Sequence, residues 1–265
     1  MPTAKQYCHD ARQQELTPAG NIEAARLYGL AIKEDDGYLP AYAECSYVHL
    51  RAYQNNWPPK LRTNDSITEA ANLADKAVAL SNDPDSDWHL DFRGLWYRAM
   101  VSWNEGDFKR SFDEYDAARS RITDPVWKIK NTAELDADKA EALIYYGNPG
   151  AALDLILGAE ASYPEFPWWL KWLAARAHYQ LGNYTEAINE INSIDPAKKP
   201  NDVLLILAAS EARRGNIDDA KTIMAEFSKN DPDWTVELSE SYIYGDPDQK
   251  THWIDGLRLA ELRES

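Results

Sequence analysis

The chain has 265 residues, of which 44% are hydrophobic and 27% are charged, and its formal net charge is −16 with a sequence pI of about 4.7. This composition is typical of a folded globular protein, and its negative field repels phosphate backbones, so we expect no direct binding of nucleic acid. Two cysteines and the absence of an apolar run of about 18 residues predict a protein of the cytoplasm without a membrane span.

The sequence predicts helices along its whole length. Apolar residues recur at helical spacing, and Pro, Gly, Asn and Asp mark the breaks. The first helical pair is expected within 5–32, with a break at 17–20, and a lengthened loop at 54–64 divides the second pair. The helices expected after the first pair are 40–53, 65–80, 92–104, 108–122, 133–146, 150–162, 168–181, 185–194, 202–214, 217–230, 234–244 and 247–262.

Five glycines are each followed by a similar pattern of residues, which indicates internal repeats. After Gly182, an aromatic residue lies at +2 (Tyr184), a small residue at +5 (Ala187) and apolar residues at +9 and +12. Similar offsets follow four further glycines, Gly20, Gly106, Gly147 and Gly215. The last four of the five are 41, 35 and 33 residues apart. This spacing is close to the period of the tetratricopeptide (TPR) repeat, a pair of helices joined by a turn.

The predicted fold is therefore all-α, a TPR-type α-solenoid in which about six helix-turn-helix repeats form a right-handed superhelix. We expect a single domain over 1–265 that ends in a capping helix pair. The repeats are expected at 5–37, 38–83, 91–124, 132–164, 167–196 and 201–232, and the capping helices at 234–263. A cap is needed because each repeat covers its apolar face only with its neighbours.

In TPR solenoids, the first helix of each repeat lines a concave groove that binds partners. With Gly182 as the register, the groove positions of one repeat are Trp169, Trp172, Arg176 and Tyr179, which share a helical face. The corresponding positions elsewhere are Tyr47, Arg93, Trp96, Met100, Trp103, Glu141, Tyr145 and Arg213. Aromatic and arginine side chains are enriched in binding hot spots, and arginine can receive a carboxylate. The same tryptophans could instead fill the core between helices.

Catalytic and metal-binding functions find little support in the sequence. The five histidines form no metal-spaced pair with one another or with a cysteine, and there is no phosphate-binding loop or nucleophile elbow. We therefore expect neither an enzyme nor a cofactor. Cys8 and Cys45 fall at interior helix positions and are predicted to be small core residues.

Further motifs point to a particular group of TPR proteins. They are Tyr7 and Arg12 in the opening helix, Thr17-Pro18-x-Gly20, Leu-Pro-Ala-Tyr-Ala at 39–43, His49, and HWIDGLRLAEL at 252–262. Together they resemble the TPR region that follows the catalytic or DNA-binding domain in bacterial class III adenylate/guanylate cyclases and winged-helix regulators. The resemblance implies a regulatory module of a signalling protein, either excised from a larger chain or standing alone.

Two functions remain open on the sequence alone. One is a scaffold that binds a protein or peptide partner in the groove. The other is a small-molecule or lipid sensor, in which Trp96, Trp103, Trp169 and Trp172 close into an aromatic pocket. A deep apolar pocket would favour the sensor, and an open groove with exposed arginines would favour the scaffold. A homodimer through the apolar segment 253–262 is a further expectation.

Overall fold

The computed structural model describes residues 2–57, 64–164, 168–196 and 199–265. Helix is the regular secondary structure throughout these ranges. The helices are α1 (Ala4–Arg12), α2 (Pro18–Glu34), α3 (Leu39–Gln54), α4 (Asn64–Asn82), α5 (Arg93–Asn104), α6 (Phe108–Arg121), α7 (Lys128–Tyr146), α8 (Pro149–Ser162), α9 (Trp169–Gln180), α10 (Tyr184–Ser193), α11 (Val203–Arg213), α12 (Ile217–Asn230), α13 (Val236–Glu240) and α14 (Pro247–Leu259).

Successive helices pair, α1 with α2 through to α11 with α12, and each second helix also contacts the first helix of the next pair within its unit. The fold is the all-α TPR-type solenoid that the sequence predicted. The helices form two compact units, Met1–Asp124 and Pro125–Ser265. Within unit 1, α1, α3 and α5 contact one another in a row, and within unit 2, α7, α9 and α11 do the same. We call each row of first helices the inner layer of its unit.

Four helix pairs turn at a glycine in the left-handed conformation. These glycines are Gly106, Gly147, Gly182 and Gly215, with φ of 90°, 108°, 77° and 89°. In each turn the next N–H donates to the carbonyl five residues earlier at 2.9 Å, namely Asp107 to Ser102, Asn148 to Leu143, Asn183 to His178 and Asn216 to Glu211. This is the Schellman arrangement, which glycine adopts at little steric cost. The sequence predicted these four turns correctly.

The apolar offsets after these four glycines are also confirmed. The residues at +5 are fully buried: Ser111, Ala152, Ala187 and Ala220. Those at +9 and +12 are at most 3% exposed: Tyr115, Ala118, Ile156, Ala159, Ile191, Ile194, Met224 and Phe227. A small residue at +5 brings the paired helices close together, and the larger residue at +9 fills the space beyond it.

The fifth glycine of the pattern, Gly20, does not close a turn, so this part of the prediction was wrong. It lies in the first turn of α2, where its N–H donates to the Thr17 hydroxyl at 3.1 Å. A β-carbon at Gly20 would lie 2.2 Å from the carbonyl oxygen of Glu15. Gly20 therefore permits a close approach of the preceding loop. With Thr17 as the N-cap, the small-residue position of this repeat falls on Asn21, which is buried.

The second pair turns without a glycine. After α3 ends, Asn56 has a φ of 52° and the N–H of Trp57 donates to the carbonyl of Ala52 at 2.9 Å. Asparagine tolerates the left-handed region better than most residues, so Asn56 takes the place that glycine has in the other turns. The rest of the predicted loop, 58–63, lies outside the described residues.

The C-terminal helices differ from the predicted capping pair. The first is only α13, five residues long, instead of 234–244. Beyond α13 the chain contacts α7, where the N–H of Gly245 donates to the carbonyl of Tyr145 at 2.9 Å. Asp246 then caps α14 by accepting from the N–H groups of Asp248 and Gln249.

Cys8 and Cys45 are buried thiols in the core of unit 1, as expected, and burial raises the pKa of both to about 12. Within the described ranges, no helix combines the length and apolar character that crossing a membrane requires.

Candidate partner-binding surfaces

The predicted groove residues all lie on helices of the two inner layers. They divide by burial. Those that keep a partly exposed surface are Tyr47, Arg93, Glu141, Trp169, Trp172 and Arg213. Those that are buried are Trp96, Met100, Trp103, Tyr145, Arg176 and Tyr179. Trp96 and Trp103 thus fill the core of unit 1, whereas Trp169 and Trp172 remain partly accessible in unit 2.

In unit 2, the inner layer is covered in part by the C-terminal segment, residues 242–259. Within this segment α14 contacts α9 and α11. Trp253, Ile254 and Leu257 are each less than 5% exposed and belong to the same core cluster as α11. These side chains are therefore not available for the homodimer predicted through 253–262.

Arg176 on α9 is the centre of this contact. Its Nη2 donates to the hydroxyl of Tyr244 at 2.8 Å. Its guanidinium carbon lies 4.5 Å from the ring centroid of Tyr145, 5.0 Å from that of Trp253 and 5.7 Å from that of Trp172. These distances are in the range of cation–π attraction, which is stronger away from water. The arrangement joins α7, α9 and the C-terminal segment.

A second contact holds the start of α14 against α9 and α11. The backbone carbonyl of His252 accepts from Arg213 Nη2 at 2.7 Å and from the Tyr179 hydroxyl at 3.1 Å. In the other direction, His252 Nε2 lies 3.3 Å from the carbonyl oxygen of Tyr179. The predicted groove residues Tyr179 and Arg213 therefore bind a backbone carbonyl of their own chain.

Two carboxyl groups, those of Glu141 and Asp202, lie within electrostatic range of Arg176. Burial raises the pKa of Glu141 to about 7, the charge of Arg176 opposes the rise and the charge of Asp202 adds to it. Asp202, the second of these carboxylates, has an exposed side chain. Within the described ranges, Arg176 forms no ion pair within 4.0 Å, and its Nε has no acceptor.

The inner layer of unit 1 carries a different set of contacts. Arg12 on α1 forms a bidentate ion pair with Glu44 on α3, and the Tyr28 hydroxyl donates to the same carboxylate at 2.7 Å. Arg93 on α5 pairs with Asp91, with Nη2 to Oδ2 at 2.6 Å. These ion pairs hold the predicted site residue Arg93, and its neighbours on α1 and α3, in defined positions.

Two residues of this surface, Arg51 and Tyr97, were not among the predicted groove positions. Arg51 lies over the Tyr47 ring at 5.4 Å and donates from Nε to the amide oxygen of Asn21 at 2.8 Å. The rings of Tyr47 and Tyr97 are 5.6 Å apart, and all three side chains are partly exposed. Arg51 could have been found, since it follows Tyr47 by four residues and so shares its helical face.

One cavity of unit 1 does not have the lining that an apolar pocket for a small molecule or lipid would need. An open cavity of about 340 Å³ lies against α6. Its lining is Leu95, Asp107, Lys109, Arg110, Asp113, Glu114 and Ala117. Ligand pockets are mostly apolar with a few polar groups, and this charged lining is the reverse. Among the residues that the structure describes, no group of three or more His, Cys, Asp or Glu is placed to hold a metal ion.

Comparison of the sequence with protein-family models and with curated proteins gives no match. Solved structures with the same fold are found. PilW, a widely conserved type IV pilus biogenesis factor, has a TM-score of 0.59 and 17% identity, over 89% of this chain and 96% of PilW. Pseudomonas aeruginosa PilF has a TM-score of 0.54 and 12% identity, over 89% and 95% of the two chains. Yeast Tom70 has a TM-score of 0.52 and 16% identity, over 98% of this chain and 47% of Tom70.

Proposed function

We propose that this chain is a protein-interaction scaffold that binds a segment of a partner on its inner layers. The observation that carries the proposal is the contact in unit 2, where the inner layer already holds a segment of its own chain. Arg213 and Tyr179 bind the backbone carbonyl of His252, and Arg176 binds the hydroxyl of Tyr244. A carbonyl and an aromatic hydroxyl are groups that a partner polypeptide also offers.

In unit 1, the accessible part of the inner layer is the patch formed by Tyr47, Arg51, Arg93 and Tyr97. Arg51 bonds to the neutral amide of Asn21 and forms no ion pair among the described residues. A partner carboxylate would give it a charge-assisted bond, and the tyrosine rings would pack against apolar or aromatic side chains. We therefore expect a partner segment with acidic and aromatic residues at this patch. In unit 2, Glu141, Trp169 and Trp172 supply the remaining accessible positions.

The sequence motifs indicate the kind of protein in which this scaffold would act. Their resemblance to the TPR regions of cyclases and winged-helix regulators supports a role in which partner binding is relayed to a signalling domain. The same role needs neither catalysis nor a cofactor, and it fits a cytoplasmic protein. An acidic chain with a net charge of −16 is also a poor direct ligand for nucleic acid.

Selection of binding peptides tests the scaffold function. A displayed library of random 15-residue peptides is panned against the full chain, and the selected peptides are titrated against Tyr47→Ala and Arg51→Ala. We expect at least tenfold weaker binding by both variants. Arg26→Ala is the matched control, because Arg26 lies on the second helix α2 and pairs there with Glu23 at 2.6 Å. Selected peptides that bind all three variants equally, or a library without binders, would contradict the proposal.

A further inference from the structure

The C-terminal segment covers part of the surface of α7 and α9 that a partner would have to reach. The stretch from Tyr242 to His252, which we call the strap, lies on these helices. Resting on the proposed function, we propose that the strap is an internal ligand, which a partner segment must displace before it can bind the inner layer of unit 2. The strap thereby makes partner binding conditional on its own release.

The strap is attached at both ends by contacts that do not depend on it. Before it, the N–H groups of Val236 and Glu237 donate to the carbonyls of Arg263 and Glu264, at 2.9 and 3.0 Å. After it, the buried side chains that begin at Trp253 anchor α14 in the core. Opening of the strap can therefore occur as a local event, with α13 and the rest of α14 in place.

The strap itself has few buried groups. Tyr242, Tyr244 and His252 are partly exposed, and Gly245 and Pro247 are exposed. Its contacts with the inner layer are hydrogen bonds and ring contacts. The rings of Tyr145 and Tyr244 are 5.0 Å apart, and those of Tyr145 and Tyr242 are 6.5 Å apart. Contacts of this kind each contribute little net free energy, so a competing segment can replace them.

The charges around Arg176 indicate which segment would compete. Arg176 is 7% exposed and donates to a neutral hydroxyl, while Glu141 and Asp202 lie within electrostatic range of it. Asp202 already supplies negative charge there, and it would repel a further anion, as would the ionised form of Glu141. A tyrosine, which brings a hydroxyl and a ring without a charge, suits the position. We infer a tyrosine-containing partner segment that resembles the strap.

The test uses a fluorescein-labelled synthetic peptide of residues 240–254 as the probe and the full chain as the receptor. The receptors are the wild type, Tyr242→Ala with Tyr244→Ala, and Trp127→Ala. Trp127 is the control because it is an exposed aromatic residue of unit 2 outside the strap. We expect the double variant to bind the probe at least tenfold more tightly than the wild type and Trp127→Ala. Probe with alanine at both tyrosines should not bind.

Equal affinity of the wild type and the double variant, or no binding by a double variant that retains its helical circular dichroism, would overturn the proposal. If the double variant does not fold, Tyr244→Phe removes only the hydroxyl that binds Arg176. Amide hydrogen exchange within the strap should then be at least threefold faster than in the wild type, and unchanged exchange would also overturn the proposal.

The library peptides distinguish failure of the strap proposal from failure of the scaffold proposal. If they require Tyr47 and Arg51 while the strap experiment fails, the scaffold function stands and the strap is a fixed cap.

Discussion

The hydroxyl of Tyr179 on α9 fills the space in which any other residue at position 256 would place its β-carbon. The two positions are 1.9 Å apart, and the β-carbon of Ala209 on α11 lies at 3.3 Å from the same point. The hydroxyl of Tyr179 also donates to the carbonyl of His252, one turn earlier on α14. The close approach of α14 to the inner layer therefore depends on a glycine at 256.

Gly256→Ala should destabilise the protein. Overpacking a closed core costs about 1–3 kcal/mol, and the better helix propensity of alanine returns at most about 1 kcal/mol. Gly158→Ala on α8 is the control, because nothing lies within 4 Å of a β-carbon there, and it should gain about 0.5–1 kcal/mol. Urea denaturation measures both changes. A gain in stability from Gly256→Ala would show that α14 does not pack on Tyr179 in this way.

Two glycines of equivalent turns should respond differently to substitution. At Gly182, a β-carbon meets open space, so Gly182→Ala should cost only the strain of a left-handed residue, about 1 kcal/mol. At Gly147, a β-carbon would also lie 2.6 Å from the β-carbon of Asp246, the N-cap of α14. Gly147→Ala should therefore cost about 1–3 kcal/mol more. Equal losses in thermal denaturation would contradict the contact between the α7–α8 turn and the cap.

Local patterns explain why most of the fold could be predicted. A Schellman turn needs a residue that adopts positive φ, and a glycine followed by small and apolar offsets identifies that need within about 15 residues of sequence. The pattern failed at Gly20, where the glycine serves a close approach to Glu15, and at the second pair, where Asn56 replaces glycine. Both failures arise because the residue type alone does not reveal which backbone constraint it meets.

The candidate site was predicted only in part, since its occupant comes from a distant part of the chain. The helical register placed Tyr179 and Arg176 on the inner layer. It could not show that His252 and Tyr244, 73 and 68 residues away, would cover them. One signal was present in the sequence. A glycine inside a predicted helix, as at Gly256, often marks a close approach by another element.

The buried Arg98 provides a test of the ion pairs that join α4 and α5. Its side chain is 4% exposed and pairs with Asp75 at 2.7 Å and Glu105 at 2.9 Å. Either carboxylate alone can neutralise it, so Asp75→Asn and Glu105→Gln should each cost about 1 kcal/mol or less. Loss of both leaves this buried charge without a carboxylate within 4.0 Å among the described residues. The double variant should therefore lose about 1–3 kcal/mol more than the sum.

A double-mutant cycle in urea measures this coupling. Asp113→Asn is the control, because the pair of Asp113 with Lys109 has side chains that are 69% and 87% exposed, and its loss should change little. Additive losses for Asp75→Asn and Glu105→Gln would mean that Arg98 is neutralised by other groups.

The acidity of Glu141 predicts a pH-dependent stability. Burial favours the protonated acid in the folded chain, and the pKa rises from 4.5 to about 7. Between these values the folded chain binds more protons than the unfolded one, so this group lowers stability progressively as the pH rises, with no further change above about pH 7. Glu141→Gln stays neutral and avoids the loss. The melting temperature of the variant relative to wild type should therefore be higher at pH 8 than at pH 5.

Glu226→Gln, at an exposed position of α12, controls for the removal of one negative charge. If the difference for Glu141→Gln is the same at both pH values, Glu141 is not held in its acid form by the inner layer.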